Sequence, residues 1–368
     1  MERAYKFRIY PNKTQEILLQ KTFGCVRFVY NYYLDKRITL YKEDKTTLNF
    51  SQCSKDLTQL KKEKLWLKEP DKCALQNALK DLDVAYQNFF KRPEVGYPKF
   101  KSKKNRHKSY RSNCSNNNIA FINGKIKLPK LGKLKTRDKQ IPQGRILNAT
   151  ISQVPSGKYY VSICCTDVEL PKQNKTNCYV GIDLGIKDFA ITSDGYKYEN
   201  NKFLGKALNK LAILQRQLSR KSKGSSNWNK ARIRVAKLQE YIANQRKNYL
   251  HKISNELIKK YDIICMENLQ VKNMIKNHKL ARNIADVSWY EFLRQLKYKT
   301  DWYGKHLVII DKFFPSSQLC HHCGYKNIDT KNLKIRQWKC PQCGEINDRD
   351  INAAKNILNE GLRIYSIA

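Results

Sequence analysis

Residues 3–10 alternate in polarity, with Tyr5, Phe7 and Ile9 on one face and Lys6, Arg8 and Tyr10 on the other. That period predicts a strand with one basic face. Pro11-Asn12 breaks it, and Asn12 with Gln15 has the spacing of a helix capping box. The pattern over residues 17–41 is helical and aromatic, carrying Phe23, Phe28, Tyr30, Tyr32 and Tyr33. Further helices are predicted over 51–64, with Leu57 and Leu60 inward, and over 72–90. In the latter, Leu75, Leu79, Leu82, Tyr86 and Phe89 recur at spacings of three and four. Residues 12–92 therefore read as a small helical bundle, its tyrosines as core in preference to base-stacking platforms.

From residue 93 the chain is basic and punctuated by proline. Turn signals at Asn123-Gly124, Gly132, Gly144 and Ser156-Gly157 then separate short strands, the clearest over 159–166. These read as a small barrel or sheet to which the first strand could add, followed by a linker at 171–176. Residues 179–185, Tyr-Val-Gly-Ile-Asp-Leu-Gly, form an apolar run with one carboxylate, Asp183, inside it. Two more strands flank Asp194-Gly195, a hairpin signal. Two long helices follow, one striped by Leu204, Leu208, Leu211, Leu214 and Leu218, the other by Val235, Leu238, Ile242, Tyr249, Ile253 and Leu257. A buried-type strand over 261–267 ends on Glu267. A helix over 289–303, a strand over 307–311 and a last helix over 350–358 complete the pattern.

Charge changes the picture most. Across 368 residues, 72 Lys and Arg stand against 32 Asp and Glu, a net charge of +40. A surplus of that size favours a polyanionic partner whose counterions are released on binding. The 22 Tyr, 13 Phe and 5 Trp among these cations suit stacking on bases. Arg216, Arg220, Lys230, Arg232, Arg234, Lys237, Arg246 and Lys247 are expected on the outer faces of the two long helices, as phosphate contacts. No apolar run approaches the roughly 20 residues that cross a bilayer, so no membrane partner is expected. The first residues lack a secretory apolar core. The 12 cysteines accordingly read as cytosolic thiols.

Four of those thiols are paired by spacing. Cys320-His-His-Cys323 and Cys340-Pro-Gln-Cys343 enclose sixteen residues and are each followed by glycine, Gly324 and Gly344. That is the pattern of a four-thiolate zinc site, closed and therefore structural. Three carboxylates stand in unusual places: Asp183 within a strand, Glu267 at the end of another, and Asp350 at the start of the last helix. Singly, each has a structural explanation in a turn, an ion pair or a helix cap. Together they could hold two Mg²⁺ ions about 3.5–4 Å apart, suited to phosphodiester hydrolysis. Asp188 reads as a turn residue, and Asp348 as a capping group or a support behind the metal ligands. Neither a Ser-His-Asp order nor a phosphate-binding glycine loop ending in Lys-Ser/Thr is evident.

Several motifs resemble the TnpB family, transposon-encoded nucleases related to type V CRISPR effectors. They are Gly181-Ile-Asp-Leu-Gly-Ile-Lys-Asp188, Met266-Glu-Asn-Leu269, Pro315-Ser-Ser-x-x-Cys-x-x-Cys-Gly and Asp348-Arg-Asp-Ile-Asn-Ala-Ala354. Tyr5-Lys-Phe-Arg-Ile-Tyr-Pro and Tyr97-Pro-Lys-Phe-Lys extend the resemblance nearly end to end. It implies an α/β architecture with added β-barrel and helical domains. Residues 176–312 and 347–368 would form an RNase H-like (RuvC) nuclease domain, with a zinc ribbon at 313–346 inserted in it. Residues 1–11 and 93–170 would form an oligonucleotide-binding-like wedge barrel, interrupted by a helical recognition domain at 12–92.

The resemblance further implies catalytic residues Asp183, Glu267 and Asp350 binding Mg²⁺, and zinc ligands Cys320, Cys323, Cys340 and Cys343. It implies a guide RNA from the transposon end and a double-stranded DNA target beside a short flanking motif, in a prokaryotic cytoplasm. Delegating sequence choice to base pairing, with the protein supplying a positive channel, agrees with the charge. The alternatives are a non-cleaving nucleic-acid-binding regulator that relies on its zinc ribbon, and a transposase that joins ends. All three carboxylates are intact, against the former, and no His-x-His pair with a nucleophilic tyrosine is found, against the latter. Whether the protein is a monomer or a dimer is open from sequence.

Overall fold

The alternation at the start folds as β1 (Arg3–Tyr10), which buries Tyr5, Phe7 and Ile9. Asn12 and Gln15 cap reciprocally, each side chain taking the other's backbone N–H, and start α1 (Lys13–Asp44). A second box, Asn49 with Gln52, went unread in the sequence and opens α2 (Phe50–Glu63). In α3 (Lys72–Lys91) Leu75, Leu79 and Leu82 are buried. Tyr86 and Phe89, expected to continue that stripe inward, are only half-buried.

The strands β2 (Lys108–Asn113), β3 (Ala120–Ile122), β4 (Lys125–Leu128), β5 (Gly132–Thr136), β6 (Arg145–Gln153) and β7 (Tyr159–Thr166) join β1. They make one antiparallel sheet of order β2-β6-β7-β1-β5-β4-β3. β1 lies between β7 and β5, so the helices interrupt the sheet directly after its first strand. The end strands β2 and β3 are not paired with each other among the described residues. This computed structural model describes residues 1–137, 141–170, 173–278, 280–332 and 334–367. The first two residues of the expected linker lie outside them. The chain divides into two units, residues 1–169 and 170–368.

In the second unit β8 (Tyr179–Leu184), β9 (Asp188–Thr192) and β10 (Lys197–Glu199) form an antiparallel meander. Asp188 opens β9, just past the turn in which it was expected. The helices α4 (Phe203–Ser219) and α5 (Ser226–Lys260) pack on each other. The leucine stripe of α4 is only half-buried, because α5 covers a single side of it. β11 (Ile263–Glu267) then adds parallel to β8. After α6 (Val271–Met274), α7 (Ala281–Val287) and α8 (Trp289–Tyr303), β12 (His306–Ile310) adds parallel to β11. The sheet order is β10-β9-β8-β11-β12. Beyond it come the hairpin β13 (Gln337–Lys339) with β14 (Ile346–Asp348), and α9 (Arg349–Ile367).

Strand period decides what each face carries. Val180, Ile182, Ile264 and Met266 enter a core with Leu250, Leu257, Ile258, Phe292 and Leu296 of α5 and α8. Ile263, Cys265 and Ile310 meet Ile357 of α9 on the opposite face. Gly181 shares that second face. A Cβ there would lie 2.0 Å from the Ala354 carbonyl oxygen, so only glycine lets the backbone of α9 rest on β8. α9 runs to Ile367, past the expected end at 358, and has Gly361 within it. A Cβ on Gly361 would lie 2.3 Å from Cys265 Sγ, so this glycine serves close packing and does not stop the helix.

Candidate nuclease centre and zinc ribbon

Asp183 follows Gly181 by two residues and Glu267 follows Cys265 by two, so both carboxylates leave the sheet on the face that α9 covers. Ile182 is in register with Met266, which makes Asp183 and Glu267 neighbours at the ends of parallel strands. α9 brings Asp350 to them in its first turn. Asp183 senses the charges of both of the others. Burial, then the charges of Glu267 and Asp350, raise the pKa of Asp183 to about 7, opposed by Arg349 and a backbone hydrogen bond at Leu184. Burial also raises the pKa of Glu267, opposed by the Ser316 hydroxyl.

Each carboxylate has a support. Ser316 Oγ donates to Glu267 Oε1, and Ser316 is itself buried. Asp348 Oδ1 accepts the N–H groups of Asp350 (3.0 Å) and Ile351 (3.1 Å), capping α9 as its sequence position suggested. Lys197 Nζ holds the other Asp348 oxygen at 3.1 Å. Arg336 Nη1 lies 3.3 Å from Asp350 Oδ2. Arg349 is buried, donates to the Asn332 carbonyl at 3.2 Å, and supplies a positive charge beside Asp183. Sequence reading missed Ser316, Arg336 and Arg349 as site residues. Ser316 and Arg349 lay inside quoted motifs, and Arg336 was lost among many cations.

The second expected site assembles in the segment between β12 and α9. The Sγ atoms of Cys320, Cys323, Cys340 and Cys343 lie within 4.8 Å of one another, with contacts of 3.7 Å (Cys320–Cys343) and 3.6 Å (Cys323–Cys340). Thiolates about 2.3 Å from a tetrahedral zinc stand about 3.8 Å apart, so the quartet fits that ion. Gly324 and Gly344 turn each knuckle at φ 78° and 74° and donate to the carbonyls of Cys320 and Cys340, both at 2.9 Å. Trp338 packs on Cys320 and Cys340. Asn352 Nδ2 reaches the Leu319 carbonyl at 2.6 Å, and Asn356 Nδ2 reaches that of Ser316 at 2.8 Å. Two asparagines of α9 thus fasten the base of the ribbon to the helix that carries Asp350.

Most of the expected phosphate contacts on α4 and α5 are exposed, among them Arg216, Arg220, Lys230, Arg234 and Lys237. Arg246 is not. It turns inward and its Nη2 lies 2.6 Å from Asp286 Oδ1, which also accepts the Leu204 N–H and so ties α7 to the start of α4. No helix among the described residues is long and apolar enough to cross a membrane.

Residues 162–278 match the family described as Probable transposase, and residues 289–357 match the Cas12f1-like TNB domain. Residues 1–46 match a family described as a helix-turn-helix domain, although here that stretch is one strand and one unbroken helix. These matches define a transposon-encoded class. The chain belongs to the TnpB family. It is 39% identical to a putative RNA-guided DNA endonuclease of Streptomyces pristinaespiralis, over 98% of this chain and 90% of that one. It is 33% identical to the putative RNA-guided DNA endonuclease InsQ of Escherichia coli (strain K12), over 98% and 92%. Among solved structures it is loosely similar to a Cas12f1-sgRNA-target DNA complex, at 16% identity and TM-score 0.36, over 98% of this chain and 99% of that one.

Proposed function

We propose that the chain is an RNA-guided DNA endonuclease that hydrolyses phosphodiester bonds at Asp183, Glu267 and Asp350 with two Mg²⁺ ions. One observation supports this reading: across separations of 84 and 83 residues in sequence (267 − 183; 350 − 267), Glu267 and Asp350 both come near enough to raise the proton affinity of Asp183. Clustered hard oxygen donors that repel one another are a donor set a divalent cation relieves. Magnesium bound there supplies an acidified attacking water and neutralises charge on the leaving oxygen. The chain supplies the rest. Ser316 orients Glu267, Asp348 anchors the helix turn that presents Asp350, and Arg349 offsets negative charge beside Asp183.

The sheet order, three antiparallel strands followed by two parallel additions, supports an RNase H-like (RuvC) domain over 176–312 and 347–368, with the ribbon at 313–346 inserted between the second and third carboxylates. A wedge barrel over 1–11 and 93–170, with a recognition domain over 12–92, agrees with the strand order of the first unit. The curated relatives and the net charge of +40 support a guide RNA and double-stranded DNA as partners in a prokaryotic cytoplasm.

The test is cleavage of DNA matched to the RNA that copurifies with the protein. Asp183→Ala should retain RNA and target binding and lose cutting. Cutting that survives in that variant, with wild-type contamination excluded, sinks the assignment.

A further inference from the structure

The helical part of the first unit contains a cavity that the nuclease centre does not use. Its volume is about 460 Å³, and it lies between the end of α1, the turn into α2, the last turns of α3 and Tyr97. That is within the roughly 300–1,000 Å³ of small-ligand sites. One side is aromatic. Tyr86 and Phe90, a helical turn apart, have ring planes 21° from parallel, and Tyr97 stands at 90° to Tyr86 with the two hydroxyls 2.9 Å apart. Phe90 is 76% exposed, which leaves its ring face open at the cavity.

Polar groups adjoin these rings, and the Arg37 guanidinium lies 5.1 Å from the centroid of Tyr86. Arg37 Nη2 lies 3.2 Å from Asp83 Oδ1, and Asp83 Oδ2 accepts from Gln87 Nε2 at 3.0 Å. Arg37 is 8% exposed, yet its Nε has no hydrogen-bond partner. That nitrogen is shut off from solvent, so what Arg37 and Asp83 can offer a ligand is the remaining guanidinium donors and the spare carboxylate lone pairs. The cavity therefore joins an open aromatic face to an adjacent donor and acceptor. An aliphatic side chain or lipid tail would stack poorly on Phe90 and add nothing to the pair that Arg37 and Asp83 already make. A nucleobase has a flat π face and an edge carrying both acceptors and donors.

We propose that this cavity takes one unpaired nucleobase, stacked on Phe90 and held at its edge by Arg37 and Asp83. The inference rests on the nucleic-acid reading above and adds a site to it. The base comes from the bound RNA or from a displaced DNA strand, and the two sources are separable by experiment.

The test uses filter binding in two arms: the labelled copurifying RNA with the full-length protein, and labelled target duplex with the protein–RNA complex. Phe90→Ala, at a position too exposed to unsettle the helix, should weaken one arm by about 5- to 150-fold, as expected for loss of one stacked base. Phe90→Trp should restore it. Weakening in the first arm assigns the base to RNA, and weakening in the second alone assigns it to DNA. Unchanged binding in both arms for Phe90→Ala, or equal loss in Phe90→Trp, overturns the site while leaving the nuclease reading intact. Wild-type protein that binds neither probe overturns both.

Discussion

Arg336 Nη1, just before the ribbon strand β13, lies 3.3 Å from Oδ2 of Asp350, the carboxylate at the head of α9. The pair links the ribbon to the nuclease centre from outside, since the Arg336 side chain is 54% exposed and that of Asp350 25%. An ion pair this open contributes at most about 1 kcal/mol to stability. Its larger consequence is competition, because Arg336 offers Asp350 the positive charge that a metal would otherwise supply.

Arg336→Ala should therefore leave the melting temperature nearly unchanged and lower the Mg²⁺ concentration for half-maximal cleavage, by about 2- to 5-fold for an interaction of that strength. A magnesium titration of guide-directed cutting measures it. A higher requirement would mean that Arg336 positions Asp350 and does not compete for it.

The ribbon is also fastened from within, through Asn352 and Asn356 to Leu319 and Ser316, and through Ser316 to Glu267. Cys340→Ser should lose zinc and soluble protein together, since a structural zinc site supplies the folding free energy of its own module. Any soluble fraction should cut poorly because the support of Glu267 is gone. Metal analysis beside soluble yield checks this, and a stable, zinc-free, fully active variant contradicts it.

What was legible before folding depended on the range of the cause. The alternation of Tyr5, Phe7 and Ile9, the Asn12–Gln15 cap and the bounds of α8 were readable because neighbours in sequence decide them. So were the four cysteines, whose spacing is local to each knuckle. Gly361 was unreadable as a helix residue because its reason is Cys265, nearly a hundred positions earlier (361 − 265 = 96). Arg246 misled for the same reason. Its helical position pointed outward, but Asp286 draws it in. Tyr86 and Phe89 continued an apolar stripe beyond the point at which the bundle has a core to receive them.

Two glycines separate close packing from mere permissiveness. Gly181→Ala places a methyl 2.0 Å from the Ala354 carbonyl and 2.6 Å from the Leu358 nitrogen, so α9 must move off β8. Overpacking of backbone on backbone should cost about 3 kcal/mol or more and displace Asp350. Gly24 lies within α1, and a methyl added there would meet nothing within 4 Å. Gly24→Ala should accordingly stabilise the first unit by about 0.5–1 kcal/mol. Denaturant unfolding of both variants gives the two signs.

The raised pKa of Asp183 makes stability depend on pH and metal together. Without metal, the folded protein holds the Asp183 proton up to about pH 7, whereas the unfolded chain releases it near its ordinary value of 3.8. Through this group the folded state binds more protons in that window, so the Asp183 contribution to stability falls as pH rises from about 4 to about 7 and is flat above, while His251, lowered to about 4 by burial and the charges of Lys299 and Lys247, contributes in the opposite sense. Across that range metal-free wild type should lose melting temperature relative to Asp183→Asn, in which His251 titrates as before. Asp183→Asn should remove this contribution and raise stability at pH 7.5 by on the order of a few kcal/mol. Millimolar Mg²⁺ should remove it in wild type as well, because a cation on the carboxylates takes the place of the proton. Melting curves in chelator and in Mg²⁺, from pH 4.5 to 7.5, test both arms. A slope that is the same in wild type and Asp183→Asn would show that the carboxylate is not held in the strained, cation-seeking state that the nuclease centre requires.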